Sequence, residues 1–473
     1  MPFMPAPQPT TLLRDGRALA ALAVPLVLTQ LAQVALTTTD TVMMGFLGAR
    51  DLAAGGLAIV LFNQLRTMGV GLVTSVGNRI AAAAAREEEG DAPGTDADVA
   101  AVRGIARAGM AVATLAGLAG AVLMVLIGQA LTWFGQDAEI ADRARPMLVA
   151  LAPGLLPCLW FQAIRQFTVG LRRPQALLRI TVASVAVNAG LNWVLVQGTW
   201  GLPRLGLPGI GVATSAVHLL SFLALYAAAR RDPVLAPRLS LNAAGAAAAT
   251  VRTLVGLGVP IAATYGSEAG FFSVTALMAG SFGSAALAAH TAVNQLVYIV
   301  FQVAVGLSHA ASINVSRELA LGRTDSARRL KNTALACAAV VMAVVAVVYL
   351  ALPELVLRPF FDPGAAGDRE ALAIAGQLLF VIAVLQFFDC AQNIGVGLLR
   401  GLDDTRSGFR ITLVGYWLVG LPAAWALGYA AGLHTLGIWL GLLAGLGTTA
   451  LLLLRRYGTA LWARDTAAPA EAA

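Results

Sequence analysis

The chain has 473 residues, 58% of them hydrophobic and only 12% charged, with a formal net charge of +7. Its mean hydropathy is +0.76. These values exclude an ordinary soluble domain and fit an all-α polytopic membrane protein.

In chain order, apolar segments fall at about 17–40, 52–76, 104–127, 146–170, 176–197, 209–229, 252–277, 287–312, 332–352, 371–399, 409–430 and 435–454. Each has roughly the 20 residues an α-helix needs to cross a bilayer. Interior Gly and Pro are frequent, as membrane helices tolerate. Twelve transmembrane helices in two pseudo-symmetric six-helix lobes are expected. The division is a tail over 1–16, a lobe over 17–235, a linker over 236–250, a second lobe over 251–455 and a tail over 456–473.

The distribution of positive charge argues against nucleic acid as a partner. With the N-terminus placed in the cytoplasm, 24 of the 32 Lys and Arg residues fall on that side and 6 on the other. Arg66 and Arg165 lie inside apolar segments. This positive-inside bias predicts an even number of spans with both termini cytoplasmic. No cleavable signal peptide is expected, because the first apolar segment is too long and lacks a small-residue cleavage site. The Pro-rich opening and the Ala-rich end are expected to be disordered. The stretch Arg86–Asp98, with Glu87, Glu88 and Glu89, reads as a solvated loop. Cys158, Cys337 and Cys390 are scattered through apolar segments and read as buried free thiols.

The chain repeats itself. At an offset of 235 residues, Val24-Pro25 overlays Val259-Pro260, Gly45 overlays Gly280, Gly48 overlays Gly283, and Val70-Gly71-Leu72 overlays Val305-Gly306-Leu307. Further on, Val169-Gly170-Leu171 overlays Val396-Gly397-Leu398 at an offset of 227. Six helices separate the repeats, so the lobes keep one orientation and are related by an axis along the membrane normal. Rocking of two such lobes is the default route to alternating access.

Three acids lie within these apolar segments: Asp40, Glu268 and Asp389. Intramembrane carboxylates are costly, usually face a cavity, and mark an ion or substrate path. The repeat places Thr275, Gln33 and Gln162 at their counterparts. Folding of both lobes therefore does not require a carboxylate at these places, which favours a functional role over a structural ion pair with Arg66 or Arg165. Glu268 and Asp389 can bind a sodium ion together or share a proton, and the residues alone leave both open. Pro25 and Pro260 lie in the same helices as Asp40 and Glu268. Each removes a backbone hydrogen bond, which makes them candidate conformational hinges.

Asn188 and Asn192, four residues apart, share one helical face. With Gln162, Gln295, Gln392 and Arg165 they form the candidate substrate-cavity lining, and Gln166 and Asn393 extend it. Interhelical hydrogen bonding is the plainer reading of any one amide. The histidines His218, His290, His309 and His434 form no His-Glu-x-x-His pair. Lys331, the only lysine, has no P-loop around it, so a single-chain ATP-driven pump is excluded. No enzymatic activity and no cofactor is expected beyond a coupling ion, Na+ or H+.

Asp40-Thr41-Val42-Met43-Met44-Gly45, Leu191-Asn192-Trp193, Ala288-Ala289-His290 and Leu399-Arg400-Gly401 with Asp404 occur in order along the chain. In these stretches it resembles the multidrug and toxic compound extrusion (MATE) family, NorM type, from about residue 17 to 455. The resemblance implies a twelve-helix fold that expels cationic, often aromatic compounds in exchange for sodium ions or protons. It ties an acid of the first helix, here Asp40, to proton coupling and drug release, with Asn188 and Asn192 beside it. It places a cation site at Glu268 and Asp389 in the second lobe. Some relatives carry a tyrosine one turn before the tenth-helix acid. Here that place is Leu385, so a hydroxyl partner is expected to be missing.

The alternative is a flippase for lipid-linked sugars or lipids, which expects a strongly basic cavity. Only Arg66 and Arg165 would supply one, against three acids. A membrane receptor or scaffold expects soluble domains that this chain lacks. The partners implied are small cationic or aromatic molecules and the lipid bilayer, with the protein monomeric. The Arg- and Ala-rich composition suits a high-GC bacterium, and hence a multi-pass protein of the bacterial inner (cytoplasmic) membrane.

Overall fold

A computed structural model describes residues 9–89, 95–133, 135–199, 201, 203–362 and 368–471. Among these, twelve helices are long and apolar enough to cross a membrane. They are α1 (Pro9–Gly45), α2 (Ala49–Glu89), α3 (Asp96–Ala130), α4 (Ala138–Gly170), α5 (Gln175–Gln197), α6 (Leu207–Arg231), α7 (Ala248–Gly280), α8 (Ser284–Ala320), α9 (Thr324–Ala351), α10 (Arg369–Gly401), α11 (Thr405–Ala430) and α12 (His434–Glu471). Eleven of the twelve expected segments fall within them, and that of 332–352 overruns α9 by one residue, but the helices run on into polar sequence. Backbone hydrogen bonding continues past the apolar stretch, so hydropathy marks the buried span and not the helix.

Local chemistry sets several ends. The Asp137 carboxylate accepts from Glu139 N and Ile140 N at 2.9 and 3.3 Å, capping α4. Asp404 caps α11 by accepting from Ser407 N at 3.3 Å. The α1–α2 and α7–α8 turns carry Gly48 at φ 110° and Gly283 at φ 109°. That region disfavours any residue with a Cβ. The sequence repeat is thus also a repeat of backbone conformation.

Two compact units emerge, residues 28–266 in one and residues 1–27 with 267–473 in the other. The division cuts α1 just past Pro25 and α7 a few residues past Pro260. Both helices run unbroken through their prolines. In the first unit, α7 crosses α2 where a Cβ on Gly71 would lie 2.7 Å from the Ala262 backbone. In the second unit, α1 crosses α8 where a Cβ on Gly306 would lie 2.9 Å from the Val27 backbone. Gly71 and Gly306 are repeat counterparts, as are Val27 and Ala262. The leading helix of each repeat therefore packs on the second helix of the other.

Each unit has an enclosed helix. Nearly all of α4 from Leu155 to Gly170 is buried in the first, and α8 from Gly306 to Ser316 is buried in the second. Helices closed off on all faces suit a multi-helix core. In the first unit, Met147, Leu148 and Leu151 of α4 pack together with Met44, Phe62 and Met124. Cys158 and Cys390 are buried free thiols as expected, whereas Cys337 is only half-buried.

Two expectations need correction. The Ala-rich end is helical through Glu471, because α12 continues unbroken out of its apolar stretch. Glu87 is not solvated. It is buried at the end of α2 and ion-paired with Arg238 of the segment between α6 and α7. The Pro-rich opening, 1–8, and the middle of the Arg86–Asp98 stretch, 90–94, lie outside the described residues.

Candidate cation and substrate sites

In the first unit, α1 carries Asp40 to a point faced by α5 and α6. Asn188 and Asn192, one turn apart on α5, donate through Nδ2 to Asp40 Oδ1 at 2.6 and 2.7 Å. Thr214 of α6 donates to Oδ2 at 3.1 Å. All four side chains are buried. Among the described residues the carboxylate is therefore held by three neutral donors and by no cationic group. Oδ1 of both asparagines has no partner among the described residues. An amide carries donors on one arm and an acceptor on the other. A half-turn of either side chain would present an acceptor, so the same pair can serve an ionised or a protonated Asp40.

In the second unit, Glu268 of α7 meets Asp389, Gln392 and Asn393 of α10. Gln392 Nε2 lies 3.4 Å from Glu268 Oε1 and 3.5 Å from Asp389 Oδ1, spanning both acids. Asn393 Nδ2 donates to Asp389 Oδ1 at 3.2 Å. Neither acid has a cationic side chain within ion-pair distance among the described residues.

Tyr416 of α11 completes this cluster. Its hydroxyl lies 3.2 Å from Glu268 Oε1 and 2.8 Å from Gln392 Oε1, and accepts from Gln392 Nε2 at 2.6 Å. The expected loss of a hydroxyl at Leu385 is thus corrected, because the hydroxyl enters from α11. Residues 414–420 form a π-helical stretch, and such stretches inside α-helices are frequent at functional sites. The ring of Tyr416 stacks on Phe271 of α7, centroids 4.9 Å apart, which fixes the hydroxyl's approach.

The remaining expected residues separate into three places. Gln162 lines a first-unit cavity of about 50 Å³ with Asp40, Gln33, Asn63, Arg66 and His218. Arg165, buried beside it, donates from Nη1 to Gln162 Oε1 at 3.2 Å. Gln392 belongs to the second-unit acid cluster. Gln295 stands apart on α8, in a shallow depression with Phe360 and Phe361. Neither Arg66 nor Arg165 is within ion-pair distance of a described acid, so the structural ion pair is not formed.

Among the described residues no three His, Cys, Asp or Glu gather in a way that would hold a transition metal. The Glu268–Asp389 cluster offers two carboxylates, an amide oxygen and a hydroxyl. Such hard oxygen donors suit alkali and other hard cations, and the paired carboxylates also suit a shared proton.

The MatE family profile matches residues 25–194 and again 260–426. The two matches start at the offset of the internal repeat. The "Probable multidrug resistance protein NorM" of Pseudomonas aeruginosa is 38% identical over 92% of this chain and 87% of its own length. The protein of the same description from Bradyrhizobium diazoefficiens is 36% identical over 92% of this chain and 91% of its own. Among solved structures, a eukaryotic MATE transporter, AtDTX14, superposes with a TM-score of 0.79 at 21% identity, covering 95% of this chain and 98% of that one. At that identity the likeness carries the fold alone. The double profile match and the NorM relatives carry the assignment, and the chain belongs to the MatE family of multi-pass membrane transporters.

Proposed function

We propose that the chain exports cationic and aromatic compounds by antiport with sodium ions or protons, with Glu268 and Asp389 as the coupling site and Asp40 as the acid linked to substrate release. The chain is a NorM-like multidrug efflux transporter of the MATE family and not an enzyme. The family works by ion-coupled antiport.

The observation that carries the residue assignment is the bridge of Gln392 between the half-buried Glu268 and the buried Asp389, neither of which has an ion-pair partner among the described residues. Two such charges are costly in a low-dielectric interior. A bound cation or proton relieves that cost, and its release restores it. The energy of the two states therefore depends on ion occupancy, which is what coupling requires. Asp40, held only by neutral donors, is a second element of the same kind in the other unit. Pro25 and Pro260 leave one backbone carbonyl of α1 and of α7 without its helical partner, and they support a hinge role near the points where the units divide these helices. Both termini lie in the cytoplasm on this reading, the protein is monomeric, and the membrane is the bacterial inner membrane.

The test is ethidium efflux from proteoliposomes under an imposed sodium or pH gradient, with Asp40→Asn and Asp389→Asn beside the parent. Gradient-driven efflux lost in Asp389→Asn supports the coupling site. Undiminished efflux in that variant removes it.

A further inference from the structure

Two consecutive residues of α11 reach two consecutive residues of α7. The Tyr416 hydroxyl meets Glu268 at 3.2 Å, and the indole Nε1 of Trp417 donates to Ser267 Oγ at 2.8 Å. In a regular α-helix, neighbouring side chains point about 100° apart. The stretch 414–420 is π-helical instead. Its hydrogen bonds close at i+5, so each residue turns through less of the circle and adjacent side chains lie closer to one face. Two rungs therefore join α11 to α7, one inside the acid cluster and one beside it.

The π-helical stretch is pressed from both sides. A Cβ on Gly420 would lie 3.2 Å from Gly445 Cα, and one on Gly415 would lie 3.0 Å from Gly445 O, so α11 rests directly on the backbone of α12. On the other side, Phe271 of α7 stacks on Tyr416 and meets Trp417 edge-on, with centroids 6.4 Å apart in the second pair. The freedom left to the stretch is rotation about its own axis, and directional hydrogen bonds are what can fix that rotation. Those of Tyr416 run to Glu268 and Gln392, inside the cluster whose charge changes with ion occupancy. That of Trp417 runs to a neutral hydroxyl outside the cluster. Ser267 is also where α7 enters the second unit, the division falling between Gly266 and Ser267. Its repeat counterpart is Ala32, so folding of the scaffold does not require a hydroxyl at this place.

We infer that Trp417 is a positioning residue of the coupling site: anchored on Ser267, its indole sets the rotation of the π-helical stretch and so holds the Tyr416 hydroxyl on Glu268. The inference rests on the reading of Glu268 and Asp389 as the coupling site. Trp417 does not touch the ion on this account. It acts through Tyr416, and its loss lowers ion affinity only as far as Tyr416 contributes to that affinity. The two side chains are therefore coupled, which a separate packing role for Trp417 would not produce.

The test uses the full chain in nanodiscs and reads the ion midpoint, the sodium concentration or the pH at which the thermal unfolding temperature shifts, each titrated in the absence of the other gradient. Trp417→Phe keeps a ring and removes the N–H, and Ser267→Ala removes the acceptor from the opposite side. Each should weaken the midpoint about two- to tenfold, the range of one neutral hydrogen bond. Ser267→Thr keeps the acceptor and should restore most of what Ser267→Ala loses. In a Tyr416→Phe background, Trp417→Phe should weaken the midpoint no further. Midpoints unmoved in both Trp417→Phe and Ser267→Ala overturn the inference, even where the unfolding temperature itself falls. So does a loss in Trp417→Phe that adds in full to that of Tyr416→Phe, and so does a parent that responds to neither ion. Ethidium efflux by the parent from proteoliposomes is measured beside these. Its absence under both gradients, with the midpoints behaving as expected, counts against the efflux reading and leaves the positioning role standing.

Discussion

The hydroxyl of Tyr416 stands 3.2 Å from the Glu268 carboxylate, brought there by a different helix from the one that carries Asp389. Tyr416→Phe keeps the stack on Phe271 and removes only this oxygen. Hydrogen bonds to charged groups contribute about 1.5–3 kcal/mol, so efflux should need roughly ten- to a hundredfold more coupling cation to reach half its maximal rate. Initial rates in proteoliposomes against sodium, and separately against pH, measure this. Unchanged dependence on both ions would remove Tyr416 from the coupling site.

Asn188 and Asn192 act on the same oxygen of Asp40, so their contributions depend on that carboxylate. Asn188→Ala or Asn192→Ala should each destabilise the protein by about 1.5–3 kcal/mol. In an Asp40→Asn background the same changes should cost much less. A double-mutant cycle on thermal unfolding in nanodiscs should return a coupling of about 1 kcal/mol or more. Additive losses would mean that the asparagines serve packing alone.

Much of this was legible from the residues. The twelve spans follow from length and hydropathy, and the repeat offset that joins Gly48 to Gly283 reappears in matching turn geometry. The three acids stood out because carboxylates are expensive in apolar helices. Thr214 and Tyr416 did not stand out. A threonine or a tyrosine in a membrane helix is inexpensive, and their partners lie 174 and 148 residues away. The π-helical stretch at 414–420 also shifts the side-chain register of α11, so regular helical periodicity cannot place Tyr416. Glu87 opens a run of three glutamates, a pattern that suits a solvated face, yet it is buried. Its burial depends on Arg238, which arrives from a segment far along the chain.

The crossing of α2 with α7 and that of α8 with α1 make a symmetric prediction. Gly71→Ala and Gly306→Ala each push a methyl against backbone that cannot swing aside. Each should cost about 1–3 kcal/mol as overpacking. Gly190, in α5 with nothing within 4 Å of an added Cβ, is the control. There alanine should be neutral or stabilising by up to about 1 kcal/mol, since glycine is the poorer helix former. Equal melting temperatures for the three variants would show that the crossings are looser than described.

Asp232, just beyond α6, gives a pH-dependent outcome. Partial burial raises its carboxyl, but the amides of Val234 and Leu235 and the Arg173 guanidinium at 3.0 Å together outweigh it and hold the group below its ordinary 3.8. A carboxylate with a depressed folded value stabilises above its unfolded value, and that contribution is lost as pH falls through the folded one. The stability difference between the wild type and Asp232→Asn should therefore be constant near neutral pH and shrink below about pH 3.8. A difference that persists unchanged into acid would mean that Asp232 acts only through its turn geometry.

Glu87 and Arg238 tie the end of α2 to the segment leading into α7, with side chains 7% and 15% exposed. Arg238 also donates to Val234 O at 2.8 Å, so the guanidinium organises its own turn as well as the pair. Removing one partner of a buried pair leaves an uncompensated charge and typically costs about 3–5 kcal/mol. Glu87→Gln should approach that loss in chemical unfolding. Replacing the pair by Glu87→Leu with Arg238→Met should recover most of it, because apolar residues of similar volume often match a buried ion pair. Recovery would identify the pair as a fastening of the linker that apolar packing can replace. A double variant as unstable as Glu87→Gln would instead show that the charges position the segment between α6 and α7 in a way packing cannot reproduce.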